Sequence, residues 1–224
     1  MPLPEMTIHV PLTANQIAAA KEIRSRLRYW QEADAALRKL AVALPGFDAE
    51  AALLKVAAIN TLYGTNLYAF QRMAKHIEKV MGGARRPNLS PALVERIAAV
   101  PARTGQQPRR HFSFASKFCH FFVDAERFPI FDSWAQRTVA RHLGRQRARD
   151  TENPYVAFVS NLERLRREAR LTVDASTLDS YLWIRGGYEA WRKKPDRVMN
   201  GELREFFEKD DGGLLLKRLV GEVR

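Results

Sequence analysis

The stretch from His111 to Trp134 constrains the fold more than any other part of this sequence. Its phenylalanines recur at helical spacing, at positions 114, 118, 121 and 122, which predicts a helix with one buried face that starts at Ser113, a good N-cap residue. Pro129 ends any helix and keeps the residue before it extended. Residues 133–143 again show helical periodicity. The pattern predicts two helices joined by a short loop.

Two polar residues stand out in this aromatic setting. Lys117 falls about one turn inside the first helix, where the positive helix end and an apolar wall both disfavour the ammonium form. A neutral amine is a nucleophile, as in enzymes that form Schiff bases. Asp132 falls at the N-cap of the second helix, which would hold its carboxylate ionised and fixed. Taken singly, each residue also fits a structural role, as a lysine that extends to water and as an ordinary cap.

The rest of the chain predicts an all-α protein, because strand signals are few and helix signals are many. The 224 residues are read as a single domain, with N-terminal helices at 1–47, a core at 48–145 and C-terminal helices at 146–224. The expected helices are one or two over 14–43 capped by Thr13, one over 51–60 after Asp48, one ending at Met81, one opened by Ser90-Pro91 and ending near Ala99, one over 155–171, one over 178–188 closing at Gly186-Gly187, and one tail helix around Leu203, Phe206 and Phe207.

The charge of the chain predicts an anionic partner. The formal net charge is +12, and the segment 133–170 carries arginines but no lysine. Arginine binds phosphate through two parallel hydrogen bonds, which favours nucleic acid as the partner. An acidic membrane surface is the weaker alternative, because the arginines are spread over several segments instead of one basic amphipathic helix.

The cysteine and histidine content predicts a protein without a metal. The single cysteine, Cys119, excludes an intramolecular disulfide and a cysteine-rich zinc or iron-sulfur site. The five histidines are too scattered for a zinc helix. His111 and His120 flank the Lys117 helix and are read either as an acid or base or as structural residues. No secretory signal and no segment of membrane-spanning length is apparent, so a cytoplasmic location is expected.

A helix with an embedded lysine, a Phe-Pro loop and an aspartate opening the next helix resembles the active-site segment of helix-hairpin-helix DNA glycosylases. The sequences Phe-Ala-Ser-Lys-Phe and Phe-Pro-Ile-Phe-Asp-Ser are most similar to the 8-oxoguanine DNA glycosylase-like branch, over roughly residues 50–145. The resemblance implies a glycosylase-like helical fold, with Lys117 and Asp132 as catalytic residues. It further implies excision of oxidised purines such as 8-oxoguanine with AP lyase activity, no cofactor, and a monomer at the nucleoid acting on double-stranded DNA that contains a damaged base.

The resemblance also implies where DNA would be contacted. The family's hairpin grips a phosphate through glycine amides, whereas residues 112–116 contain no glycine, so the side chains of Arg103, Arg109 and Arg110 are the candidates instead. Arg137, Arg141 and Arg145 share one helix face that would follow a DNA strand. Asn66 is the best match to the residue that family members insert into the duplex, with Asn60 and Tyr63 next.

A second function fits the same residues. A DNA-binding module that retains the glycosylase fold without turnover, as part of a defence or repair assembly, would explain the hairpin that lacks glycine. The presence of both Lys117 and Asp132 favours the enzyme, because a binding module has no need of a buried lysine opposite an ionised carboxylate.

Overall fold

The computed structural model describes residues 9–82, 89–102, 105, 109–144, 148–197 and 200–222. The described residues form α-helices and two short 3-10 helices and no strand, which confirms the predicted all-α class. The described α-helices are α1 (Ala14–Arg26), α2 (Arg28–Ala43), α3 (Ala49–Tyr63), α4 (Phe70–Met81), α5 (Ala92–Ala98), α6 (Phe112–Phe122), α7 (Ser133–Leu143), α8 (Pro154–Glu168), α9 (Ala175–Lys193), α10 (Gly201–Lys209) and α11 (Leu214–Val220).

The residues group into two compact units. The first unit combines Met1–Tyr29 with Ser133–Arg224, and the second consists of Trp30–Asp132. The first unit therefore contains α1 and α7 to α11, and the second contains α3 to α6 with nearly all of α2. Lys117 and Asp132 both belong to the second unit.

The first unit is built around α9. Helix α1 packs on α9 and α11, and α7 packs on α9. The predicted cap of α1 is confirmed, since the Thr13 hydroxyl accepts a hydrogen bond from the Gln16 amide while the Gln16 side chain accepts one from the Thr13 amide. Ile17, Ala20 and Ile23 form the buried stripe of α1.

The prediction that a helix closes at Gly186-Gly187 is wrong. Helix α9 continues to Lys193, and both glycines lie inside it. A Cβ atom on Gly186 would lie 2.7 Å from the Cβ and the carbonyl oxygen of Trp134 in α7. The glycines therefore serve the close approach of two helices, and α9 tolerates their weak helix propensity because this packing stabilises it.

The tail also differs from the prediction, because it forms two helices where one was expected. Helix α10 buries Leu203 and Phe207, and α11 follows after a turn. In that turn Gly212 adopts a φ of +73°, and the Asp210 carbonyl accepts a hydrogen bond from the Gly213 amide at 2.7 Å. Helix α10 ends at Lys209, and the positive φ of Gly212 is a conformation of the connecting turn that glycine adopts without strain.

The second unit buries the aromatic face of α6. Helix α3 packs on α4 and α6, and α5 packs on α6. Phe114 and Phe118 of α6 are almost fully buried, as their spacing predicts. The predicted Asp48 cap is confirmed, because its carboxylate accepts a hydrogen bond from the Ala51 amide at 2.9 Å.

Two predicted caps in this unit are wrong. Helix α6 begins at Phe112 with His111 in the cap position and no side-chain cap, and the Ser113 hydroxyl instead accepts a hydrogen bond from the Lys117 side chain. Helix α5 begins at Ala92, with Pro91 instead of Ser90 in the cap position. The cap position lies two residues before the serine at α6 and one residue after it at α5, so neither hydroxyl faces the first free amides.

Candidate active site

Lys117 is buried inside α6, with only 5% of its surface exposed. Its Nζ atom donates a hydrogen bond to the Ser113 hydroxyl at 2.8 Å, one helical turn earlier. The same Nζ lies 5.9 Å from the centre of the Tyr63 ring, which belongs to α3. The amine is therefore held between a neutral hydroxyl and an aromatic face.

Tyr63 is itself fixed by a carboxylate. Its hydroxyl donates a hydrogen bond to Asp34, and its ring packs against Trp30 at 5.0 Å and Phe121 at 5.2 Å between ring centres. The sequence offered Tyr63 as a candidate for insertion into DNA. In the structure its ring packs beside the amine of Lys117. Asp34 was missed by the sequence reasoning, because nothing in the pattern of α2 distinguishes it from other polar residues on that helix.

Asp132 is half-buried in the residue position directly before α7. The loop that leads to it is bound to α6 by two side chains. The Ser116 hydroxyl accepts a hydrogen bond from the Phe131 amide at 3.0 Å, and His120 Nδ1 donates to the Phe128 carbonyl at 3.1 Å. The bond between Ser116 and Phe131 thus joins the chain neighbour of Lys117 to the chain neighbour of Asp132 and ties the loop before α7 to α6.

The two histidines that flank Lys117 differ in their surroundings. His120 is buried and its ring nitrogen is committed to the Phe128 carbonyl, which fits a structural role. His111 is half-buried at the start of α6, and burial lowers its pKa, with the nearby charges of Arg109 and Arg72 acting in the same direction. The start of α6 is therefore a region of positive potential.

The hairpin between α5 and α6 carries the exposed arginines Arg109 and Arg110. Arg110 lies 3.6 Å from the Glu95 carboxylate, whereas Arg109 makes no ion pair within the described part of the hairpin and its surroundings. Arg103, the third predicted contact, lies outside the described residues. Arg72 of α4 was missed by the sequence reasoning. Its Nε and Nη1 atoms are buried and lack a hydrogen-bond partner among the described residues.

The loop after α3 presents two exposed side chains. Asn66 adopts the left-handed conformation with a φ of +53° and is exposed, as its predicted role requires. The Asn60 side chain stabilises this loop by accepting hydrogen bonds from the Leu67 amide and the Thr65 hydroxyl, each at 2.8 Å. Tyr68 is 90% exposed and was missed, although an aromatic residue in a polar turn was a visible signal.

The predicted arginine face of α7 belongs to the first unit. Arg137 is exposed and donates to the Ser133 carbonyl at 2.8 Å, and Arg141 pairs with Glu189 at 2.9 Å. Arg145 lies outside the described residues. These arginines are thus grouped with α9 and not with the unit that holds Lys117.

A second buried lysine was also missed. Lys55 of α3 is 1% exposed, and its Nζ donates to the Gly46 carbonyl at 2.7 Å. That atom lies 4.1 Å from the centre of the Phe47 ring and 5.2 Å from that of Phe122. Burial lowers the pKa of Lys55 to about 8, against the opposing effect of the Asp48 carboxylate. The signal was a lysine within a run of alanines and leucines.

Among the residues that the structure describes, no group of three or more His, Cys, Asp or Glu side chains is placed to hold a metal ion. None of the helices in the described ranges is long and apolar enough to cross a membrane.

About half of this chain matches a known protein family. Residues 14–126 match the family HI_0787_N, described as an N-terminal domain, and the chain belongs to this family. The match runs from α1 to the loop after α6, so it includes Lys117 and ends before Asp132. No curated protein and no solved structure matches the chain.

Proposed function

We propose that this protein is a base-excision DNA glycosylase with AP lyase activity, in which Lys117 is the nucleophile and Asp132 stabilises the charge on the sugar. The observation that carries the proposal is the bond between the Ser116 hydroxyl and the Phe131 amide, at 3.0 Å. It ties the helix of a buried lysine to the residue before a half-buried aspartate, as a reaction shared by the two side chains requires. The resemblance of both segments to helix-hairpin-helix glycosylases supplies the reaction.

In the proposed reaction the neutral amine of Lys117 attacks C1′ of the damaged nucleotide. The bond from C1′ to the base breaks, its electron pair leaves with the base, and the base gains a proton while the lysine nitrogen loses one. Opening of the sugar ring, with protonation of its oxygen, gives an imine between Nζ and C1′. Loss of a proton from C2′ then expels the 3′ phosphate oxygen, and water hydrolyses the imine and restores the amine.

The neighbouring side chains have defined parts in this scheme. The Asp132 carboxylate offsets the positive charge that develops on the sugar as the base leaves. The Ser113 hydroxyl holds Nζ in position through their 2.8 Å hydrogen bond. Tyr63, fixed by Asp34, closes one side of the amine. The damaged base, an oxidised purine such as 8-oxoguanine, would be flipped out of the duplex to reach these groups.

The proposed partner is double-stranded DNA, bound by a monomer at the nucleoid. Arg109 and Arg110 would contact phosphates in place of the glycine amides, and Arg72 would add two donors that are unused among the described residues. Asn66 and the exposed ring of Tyr68 would enter or stack on the duplex where the base leaves. Arg137 and Arg141 are proposed to contact the same DNA from the first unit.

Borohydride trapping tests the proposal. The protein is incubated with a duplex that contains 8-oxoguanine or an abasic site, and borohydride reduces any imine to a stable adduct. We expect an adduct with the wild type and with Lys55→Ala, a weaker one with Asp132→Asn, and none with Lys117→Ala. Lys55→Ala is the matched control, because it also removes a buried lysine that lies against aromatic rings.

The competing function is the DNA-binding module without turnover. The observation that favours it is a hairpin whose residues 112–116 contain no glycine and whose Arg110 is already near Glu95. DNA binding without a trapped adduct or base release on any duplex would establish it. An adduct that persists in Lys117→Ala and disappears in Lys55→Ala would move the nucleophile to α3 and contradict the proposed site.

A further inference from the structure

A cavity of about 540 Å³ lies in the first unit, far along the chain from Lys117, between the second half of α9 and α11. Its volume falls within the range of about 300–1,000 Å³ that holds small ligands and cofactors. Seven charged side chains line it. Five are cationic, namely Arg141, Arg185, Arg192, Lys193 and Lys217, and two are the carboxylates Glu189 and Glu222. The cavity is therefore strongly positive, although it is built mostly from one helix and its neighbour.

The inner charges of the cavity are held by one shared carboxylate. Arg185 is only 5% exposed, and its Nη1 atom lies 2.9 Å from Glu189 Oε1. Arg141 Nη1 lies 2.9 Å from the same oxygen. Two guanidinium groups on one carboxylate leave an excess of positive charge inside the cavity. Because Arg185 is paired with Glu189, its guanidinium group is held in a fixed place in the lining of the cavity.

The rim of the cavity adds charges that are only weakly compensated. Arg192 lies 3.9 Å from Asp211, and Lys193 and Lys217 make no ion pair within the residues that the structure describes. Lysines at helix ends also offset the negative end of the helix dipole. That effect accounts for Lys193 and Lys217 but not for Arg185, which lies inside α9 and is buried.

We propose that this cavity binds a phosphate group, carried by a ligand of nucleotide size. Arginine pairs with phosphate in a bidentate geometry, and the lysines add point charges around it. The group comes either from a free nucleotide or from a phosphorylated DNA end. This site goes beyond the proposed glycosylase chemistry, since it uses no residue of the second unit and does not depend on Lys117. It shares Arg141 with the proposed DNA contacts.

Calorimetric titration of the full chain with pyrophosphate tests this site. The variant Lys193→Ala/Lys217→Ala removes two exposed rim charges without disturbing the Arg185–Glu189 pair. Its matched control is Lys21→Ala/Lys209→Ala, which removes two exposed charges of the first unit away from the cavity lining. We expect the rim variant to bind pyrophosphate more weakly by about tenfold for each lost contact, and the control to bind as the wild type does.

Further titrations identify the source of the phosphate and distinguish this site from the proposed glycosylase site. Tighter binding of a nucleoside diphosphate than of pyrophosphate would indicate a free nucleotide, and preference for a 5′-phosphorylated over a 5′-hydroxyl oligonucleotide would indicate a DNA end. Lys117→Ala is expected to leave pyrophosphate binding unchanged, whether or not it abolishes imine trapping. Absence of pyrophosphate binding, or equal weakening in the rim variant and its control, would overturn the site.

Discussion

Helices α3 and α6 of the second unit each bury a lysine, and the two lysines differ in what holds the amine. Lys55 donates to a backbone carbonyl and lies against Phe47 and Phe122. Lys117 donates to the Ser113 hydroxyl. The residue before Lys117, Ser116, binds the loop that leads to Asp132. Burial is common to both, so it does not by itself define a reactive lysine. The comparison teaches that the group which engages the amine, a backbone carbonyl for Lys55 and a serine hydroxyl for Lys117, distinguishes the proposed nucleophile.

The largest expected effect is on the rate of base release. Lys117→Ala should lower single-turnover excision by at least about a thousandfold, because a covalent route loses its nucleophile. Lys55→Ala should retain excision to within about tenfold, since its amine is engaged by the Gly46 carbonyl. Product gels under single-turnover conditions measure both rates. Equal losses in the two variants would remove the distinction between the lysines.

The second effect is a dependence of the unfolding free energy on pH that comes from Lys55. The pKa of Lys55 is lowered to about 8 in the folded protein, below its value of about 10.4 in the unfolded chain. The ammonium form is thus disfavoured on folding, so a penalty is fully present below pH 8 and disappears as the pH rises towards 10.4. Relative to Lys55→Met, the wild type should gain up to about 3 kcal/mol of unfolding free energy between pH 7 and pH 10.

Urea denaturation of the wild type and Lys55→Met at the two pH values measures this gain. Other groups that titrate in the same range cancel in the difference between the two proteins. Lys75→Met, at an exposed position of α4, is the control and should show a much smaller change. A difference between wild type and Lys55→Met that does not depend on pH would mean that folding leaves the pKa of Lys55 unchanged.

The third effect concerns the hydrogen bond that ties the loop before Asp132 to the helix of Lys117. Ser116→Ala leaves the buried Phe131 amide without its acceptor, which should cost about 1–3 kcal/mol of unfolding free energy. It should also lower the rate of excision more than the affinity for DNA, because it loosens the Asp132 loop and removes no DNA contact. Ser180→Ala is the control. The Ser180 hydroxyl donates to the Ser176 carbonyl within α9, so its removal leaves no backbone amide without an acceptor. Equal effects on rate and affinity would contradict a positioning role.

The smallest effect is expected on DNA affinity, from the two arginines that precede α6. Arg109→Ala should weaken DNA binding about equally on all sequences and reduce the salt slope of the affinity by about one unit. Arg110→Ala should have a smaller effect, since that guanidinium lies near the Glu95 carboxylate. Fluorescence anisotropy at several salt concentrations measures both variants. A larger loss for Arg110 would show that its ion pair opens on DNA.

Much of the local structure was accessible from the sequence. Thr13 and Asp48 marked the starts of α1 and α3 correctly, because capping acts within three or four residues. Helix α6 ends at Phe122, before the loop that holds Pro129, so the proline does not mark its end. The aromatic spacing of α6 identified its buried face and the burial of Lys117. The serine caps were wrong at α5 and α6, because a shift of one or two residues in the cap position takes the hydroxyl away from the free amides.

The sequence by itself determined that this protein is helical, where α1, α3 and α7 begin and which aromatic face is buried, since these properties depend on neighbours along the chain. Only the tertiary structure decided that Lys55 is buried, that Asp34 holds Tyr63, and that Gly186 lies inside a helix. It alone gathered five cations around one cavity. These features rest on contacts between residues far apart in sequence, and such contacts form only when whole helices pack together.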